Sequence, residues 1–195
     1  KTKILMSYPL IEDCNPKKNY KDGIKCLFIA SNFWLKGGGE VLESFKTIRN
    51  EYGKNEIDLT IITPLNLIDD RIKRTINSLD IRLLDFNLNK EELAKEYDKA
   101  HILLNPTRMD SFSLVTLESI KHGCAYIGTN LYAIPEMIEN GKNGFLTSSI
   151  YSPWKDDKTF DHKKRMMMQK LSKEGYLDDK LVAFIIEKIK LLRRN

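Results

Sequence analysis

The sequence predicts an α/β fold, a doubly wound parallel sheet of about six strands with C-terminal helices. Two observations carry this. Short runs of apolar, β-branched or aromatic residues recur along the chain, and stretches of helical period fill the gaps between them. Strands that alternate with helices of this length pair in parallel through right-handed crossovers, and such sheets bind ligands at the carboxyl ends of their strands. At 195 residues and 42% hydrophobic content, the chain can bury one proper core.

Residues 1–23 contain Pro9, Pro16 and Gly23 and read as a linker and lead-in, since ILMSY at 4–8 has apolar character for only one short strand. Residues 24–150 read as one ligand-binding domain. Its strands are expected at Cys26 to Ala30, Leu59 to Ile62, Ile81 to Phe86, Ile102 to Leu104 and Ala125 to Ile127, with a weaker one at Gly144 to Thr147. Val41, Leu42, Phe45 and Ile48 form one helical stripe, and Ile68, Ile72, Ile76 and Leu79 form another. Residues 151–195 open with a turn at Ser152, Pro153 and Trp154. Two helices follow, at roughly 158–173 and 178–193, and are expected to pack on the domain. The run Met166, Met167, Met168 reads as helix packing.

The most informative stretch is NPTRMDSFSLVTLESIKHGCAYIGTN, residues 105–130. Asn105 to Ser111 is a turn after a buried strand, and Ser113 to His122 is a helix ended by Gly123. Asp110 then lies just outside the helix N-terminus, and Glu118 lies inside the helix. The amides of Phe112, Ser113 and Leu114 fall between the two carboxylates. Open N–H groups at the positive end of a helix attract phosphate, and carboxylates accept hydrogen bonds from sugar and ribose hydroxyls. A nucleotide sugar carries both groups. Asp110 taken alone also fits a helix N-cap.

The segments IASNFWLKGGGEVLESF, LLNPTRMDSFSLVTLESIKHG and IPEMIENGKNGFL resemble the C-terminal, donor-binding domain of GT-B glycosyltransferases, specifically the retaining family 4 (group 1) enzymes. Asp110 and Glu118 stand where that family has an acidic residue, seven intervening residues and a Glu, and the resemblance runs from about Ile24 to Leu146. It implies a Rossmann-like half of a GT-B fold and a nucleotide-diphosphate-sugar donor. By the same resemblance Glu118 binds the ribose, and Asp110 faces the donor sugar. Phe86 and Asn87 follow the third strand, where the family places the nucleobase; a packed aromatic and a turn Asn is the equally weighted alternative. Pro135 and Glu136 match a Pro-Glu helix start, with Tyr132 and Ala133 in place of small glycines.

The loop Ser31 to Gly39 carries a lysine before three glycines. Glycines allow backbone to approach phosphate, and Lys36 offers a compact positive charge to a diphosphate leaving group. A surface lysine ahead of a helix is the plainer reading of Lys36. Ser31 stands where the family often has an Arg. Either Lys36 therefore acts with the hydroxyl and amide groups of Ser31, Asn32, Ser111, Phe112, Ser113 and Leu114, or another cation such as Arg108 moves in.

Several classes are excluded or disfavoured. There is no GxxxxGK[ST] motif, and KGGGE breaks the GxGxxG order. No Asp-x-Asp motif is present, so no metal ligand and no cofactor is expected beyond the substrate. Cys14, Cys26 and Cys124 are odd in number and widely spaced, which suits packing thiols rather than disulfides or zinc. His101, His122 and His162 lack metal spacing and an evident base partner, and His122 suits a helix C-terminus. The net charge of +5 is dispersed, and no nucleic-acid partner is expected. No apolar stretch approaches a bilayer span, so a cytoplasmic protein is expected. The basic clusters at 162–165 and the C-terminus keep open a peripheral contact with the inner membrane face, against the plainer reading of a solvated helix face.

The sequence reading is therefore the donor half of a hexosyltransferase acting on a glycan or lipid-linked acceptor, with an N-terminal acceptor-binding domain as its missing partner. The first residue is Lys rather than Met, as in an excised domain. A non-catalytic nucleotide-sugar-binding partner subunit is the alternative, and a sugar-nucleotide epimerase a weaker third.

Overall fold

The computed structural model describes residues 14, 16, 18–150, 152, 155 and 159–194. The short strand read at 4–8 and the turn residues Pro153 and Trp154 lie outside the described residues.

Six parallel strands form one sheet: β1 (Ile24–Ile29), β2 (Ile57–Ile62), β3 (Arg82–Leu84), β4 (Ile102–Asn105), β5 (Ala125–Thr129) and β6 (Gly144–Thr147), in the order β3-β2-β1-β4-β5-β6. Helices α1 (Gly38–Glu51), α2 (Asp70–Ser78), α3 (Lys90–Lys99), α4 (Leu114–Lys121) and α5 (Ile134–Met137) connect them, and α6 (His162–Lys173) and α7 (Asp179–Arg194) follow. This is the doubly wound arrangement, whose direction of winding reverses between β1 and β4.

Alternation along β1 explains the layers. Cys26, Phe28 and Ala30 point to one face and join Phe45 and Ile48 of α1, Ile72 and Ile76 of α2, and Leu181, Ile185 and Ile189 of α7. Leu27 and Ile29 point to the other and join Tyr97 of α3, Tyr126, Ile134 and Ile138. Both faces are covered by helices, which is why most strand residues are apolar. Helix α7 presents residues spaced four apart to α1 and the sheet.

The edges of elements differ from the sequence reading for local reasons. β1 and β2 begin two residues earlier because Ile24 and Ile57 already pair. β3 is shorter than 81–86: the Asp85 side chain accepts from the amides of Leu65 and Phe86 and turns the chain. Helix α3 starts with a capping box between Asn89 and Glu92. At its other end Lys18 donates to the carbonyls of Tyr97, Asp98 and Ala100, which ties the lead-in to the domain. The Met run does not pack as a unit. Met168 is buried, whereas Met166 and Met167 are exposed, because three consecutive residues span most of a helix's circumference.

A second tie reaches across the sheet's carboxyl end. Arg108 is fully buried, and its guanidinium donates to Glu40 Oε1 at 2.5 Å and to the Tyr176 carbonyl at 2.5 Å. Glu40 Oε1 also accepts from the Asp178 amide at 3.2 Å. The first turn of α1, the segment after β4 and the start of α7 thus share one buried network.

Candidate functional site

The loop after β1 and the loop after β4 leave the sheet side by side, then run to helices on opposite faces. A cleft of about 350 Å³ opens between them, lined by Ile29, Ser31, Lys36, Phe86 and Asn105 and by Asp110 through Val115. It sits at the strands' carboxyl ends beside the reversal of winding, the usual ligand position in open α/β sheets.

Gly37 makes the loop contact possible. It has φ of 79°, and a Cβ there would stand 2.2 Å from the Pro106 carbonyl oxygen. The Arg108 amide donates to the Leu35 carbonyl at 3.0 Å in the same place. Gly38 and Gly39 lie against the rings of Phe33 and Trp34. The close approach read from the glycine run is thus made to protein backbone and aromatic rings.

The juxtaposed loops bring Lys36 onto Asp110. Lys36 Nζ is 2.7 Å from Asp110 Oδ2 and 2.9 Å from the Met109 carbonyl oxygen. The other oxygen, Asp110 Oδ1, accepts from the amides of Ser111 at 2.8 Å and Ser113 at 3.1 Å. Asp110 therefore both organises the helix start and holds the cation. Ser113 adopts a left-handed conformation as the residue preceding α4, and its buried hydroxyl lies 3.1 Å from Asn105 Nδ2, which donates to it, and 2.8 Å from Thr116 Oγ1.

These bonds revise which amides are open. Those of Ser111 and Ser113 are occupied by Asp110. Among the described residues, the amides of Leu114 and Val115 have no acceptor, and both residues line the cleft. An eight-residue helix thus directs two N–H groups and its positive end at the space beside Lys36.

Glu118 lies one turn beyond the cleft lining, on the same side of α4 as Leu114. Its Oε2 accepts from the Tyr97 hydroxyl at 2.9 Å. Burial, and then the adjoining Glu118 carboxylate, push the Tyr97 pKa far up, so the phenol stays a donor. Tyr97 stacks on His122 with ring centroids 5.3 Å apart, and His122 Nδ1 is 2.7 Å from Asp98 Oδ1. His122 therefore has a carboxylate partner that the sequence reading missed. Tyr97 itself was not singled out, because its partners lie on a different helix.

Other expected residues fall as follows. Phe86 is exposed and forms one wall of the cleft, while Asn87 is exposed outside its lining. Ser31 lines the cleft; Asn32 does not, and its Oδ1 accepts from the Leu35 amide at 2.9 Å to shape the loop. Arg108 is not an alternative phosphate cation, since the buried network already engages its guanidinium. His101 accepts from the Lys25 amide at 3.0 Å and donates to the Asn19 carbonyl at 2.9 Å; burial lowers its pKa, and it holds backbone. Burial raises the thiols of Cys26 and Cys124, the latter to about 11, and Cys14 is exposed. Tyr132, ahead of α5, takes φ of 55°, the left-handed conformation that a glycine adopts freely.

Among the described residues no helix is long and apolar enough to cross a membrane.

Comparison with known proteins adds the following. Residues 23–153 match the family model described as glycosyl transferases group 1. An uncharacterized 41.2 kDa protein in the cps region of Klebsiella pneumoniae is 26% identical over 140 residues, which is 71% of this chain and 36% of that protein. The chain thus spans about a third of the length of the curated relative it matches. Among solved structures, TarM superposes with a TM-score of 0.59 at 15% identity, over 94% of this chain and 34% of that one. The C-terminal domain of a group 1 family glycosyl transferase (LpcC) from Francisella tularensis gives 0.54 at 19% identity, over 86% and 83% of the two chains. A GtfA/B complex gives 0.56 at 18% identity, over 92% and 38%. These likenesses bear on the fold, the Rossmann-like half of a GT-B architecture.

Proposed function

The chain belongs to the group 1 glycosyltransferases, and we propose that it is the C-terminal, donor-binding half of a retaining family 4 enzyme. The donor is a hexose-type sugar on a nucleoside diphosphate, and the acceptor is a glycan or lipid-linked glycan. The single observation that carries this reading is the cleft between the β1 and β4 loops, where Lys36, Asp110 and the open first turn of α4 converge.

Each group has a distinct task. Lys36 and the amides of Leu114 and Val115 hold the diphosphate and stabilise the charge that develops on it as the glycosidic bond breaks. Glu118 accepts from ribose hydroxyls one turn further along α4. Asp110 addresses the sugar hydroxyls and the positive charge near the anomeric carbon. Phe86 offers an aromatic wall to the nucleobase. Ammonium and amide donors supply the positive potential in this scheme, so nucleotide binding requires no divalent metal.

The acceptor half and the transfer reaction belong to the longer protein. A panel of UDP, GDP, ADP and their sugars tests the donor reading by thermal shift, because a ligand that binds only the folded state raises its melting temperature. One nucleoside diphosphate is expected to stabilise the protein equally in chelator and in magnesium, and Lys36→Gln to abolish most of that shift. A strict metal requirement would overturn the metal-free scheme. No shift with any nucleotide would overturn the donor assignment.

A further inference from the structure

Resting on the donor reading, we propose that Tyr97 is a positioning residue for nucleotide recognition, fixing the Glu118 carboxylate so that one oxygen is presented to the ribose. A carboxylate on a helix surface rotates freely, and binding a hydroxyl pair to it must offset the entropy lost on ordering it. Here that ordering is done in advance. The Tyr97 hydroxyl reaches from α3 to α4 and donates to Glu118 Oε2 at 2.9 Å. Tyr97 is only 2% exposed, so its ring has no room to swing away.

The ring and its backbone are both held. It stacks on the His122 imidazole at 18° between planes, and His122 is in turn held by Asp98. The Tyr97 carbonyl accepts from Lys18 at 2.7 Å, which anchors the end of α3. A phenol beside a carboxylate can only donate, so Oε2 is committed to Tyr97. Among the described residues Oε1 has no donor. Glu118 therefore enters binding with one oxygen satisfied and one oriented, and Tyr97 contributes to ribose recognition without touching the ligand.

The test compares nucleoside diphosphates with their 2′,3′-dideoxy analogues by calorimetry on the whole protein, in wild type, Tyr97→Phe and Glu118→Gln. Phe keeps the stack on His122 and loses only the hydroxyl. The ratio of ribo to dideoxy affinity is expected to fall about fivefold to tenfold in Tyr97→Phe. Dideoxy affinity should stay near wild type. The ratio is independent of the fraction of folded protein, so modest destabilisation does not disturb the readout. Equal loss of both ligands, or an unchanged ratio in Tyr97→Phe while Glu118→Gln lowers it, would leave Tyr97 as a packing residue and overturn this inference alone. Absence of nucleotide binding in wild type would overturn the donor reading together with it.

Discussion

Lys36 and Asp110, 74 residues apart in sequence, form an ion pair of 2.7 Å at the mouth of the cleft, with side-chain exposures of 18% and 15%. The pair couples two roles that the sequence reading treated separately. Part of the lysine's charge is already engaged by the carboxylate, so the proposed diphosphate would have to share Lys36 with Asp110 or draw it away.

Asp110→Asn is therefore expected to strengthen nucleoside diphosphate binding while depressing sugar transfer in the full-length protein. Asn Oδ1 still accepts from Ser111 and Ser113, so the start of α4 is kept. Removing the competing anion should gain about 1 kcal/mol, close to fivefold in affinity. Calorimetry and turnover on one variant check this. Transfer at the wild-type rate would remove Asp110 from the chemistry.

Glu118→Gln keeps a carbonyl oxygen for the Tyr97 hydroxyl, so the fold should persist. Loss of a charge-assisted bond to ribose should weaken nucleotide binding by about 1.5–3 kcal/mol. Thermal denaturation and calorimetry measured together separate the two effects, and wild-type affinity in the variant would rule out the ribose assignment.

Gly37→Ala should both destabilise the fold and impair the site. With φ of 79° and the Pro106 oxygen 2.2 Å from where a Cβ would stand, there is no space for a methyl group. A loss of about 2 kcal/mol is expected. The urea midpoint measures it. Displacement of the adjoining Lys36 should show as weaker diphosphate binding in the protein that remains folded; full affinity there would mean that loop contact and phosphate site are independent.

Arg108→Met should destabilise by about 3–5 kcal/mol near neutral pH, because it leaves the Glu40 carboxylate buried without its cation. Burial already raises the Glu40 pKa above its ordinary 4.5, while Arg108 pulls it down. Without Arg108 it rises further. A group whose folded pKa is raised contributes stability that is present below 4.5 and lost as pH climbs through the folded value. The deficit of the variant should accordingly be largest at about pH 8 and shrink toward pH 4.5, as read by denaturant titrations at both. A deficit independent of pH would assign the loss to packing.

Local patterns made much of this fold legible. Each strand centre was visible as a short apolar run because both faces of the sheet are buried, and the α4 junction was visible because its turn, cap residues and Gly123 are contiguous. Helix α3 was harder. Only Leu93 and Tyr97 give its sequence KEELAKEYDK an apolar stripe, although Asn89 and Glu92 spell a capping box. The candidate site was legible where one segment carries it, as at Asp110 to Leu114. Pairings across segments were not: Tyr97 with Glu118, His122 with Asp98, and Arg108 with Glu40 each join residues whose separation has no periodic signature.

Arg108 also sets an order of events during synthesis. Its side-chain acceptors lie 68 residues upstream, at Glu40, and 68 downstream, at Tyr176. A nascent chain that has exposed β1 through β4 can pair those strands and already offers Glu40, whereas the Tyr176 carbonyl reaches Arg108 only after residue 176 is made. Closure of this network at the carboxyl end of the sheet is therefore expected only after residues 176–178 have left the ribosome. Such long-range closure is slow compared with local helix formation. Until then the loops after β1 and β4 are expected to lack this tie, and translation pauses before residue 176 would prolong that interval.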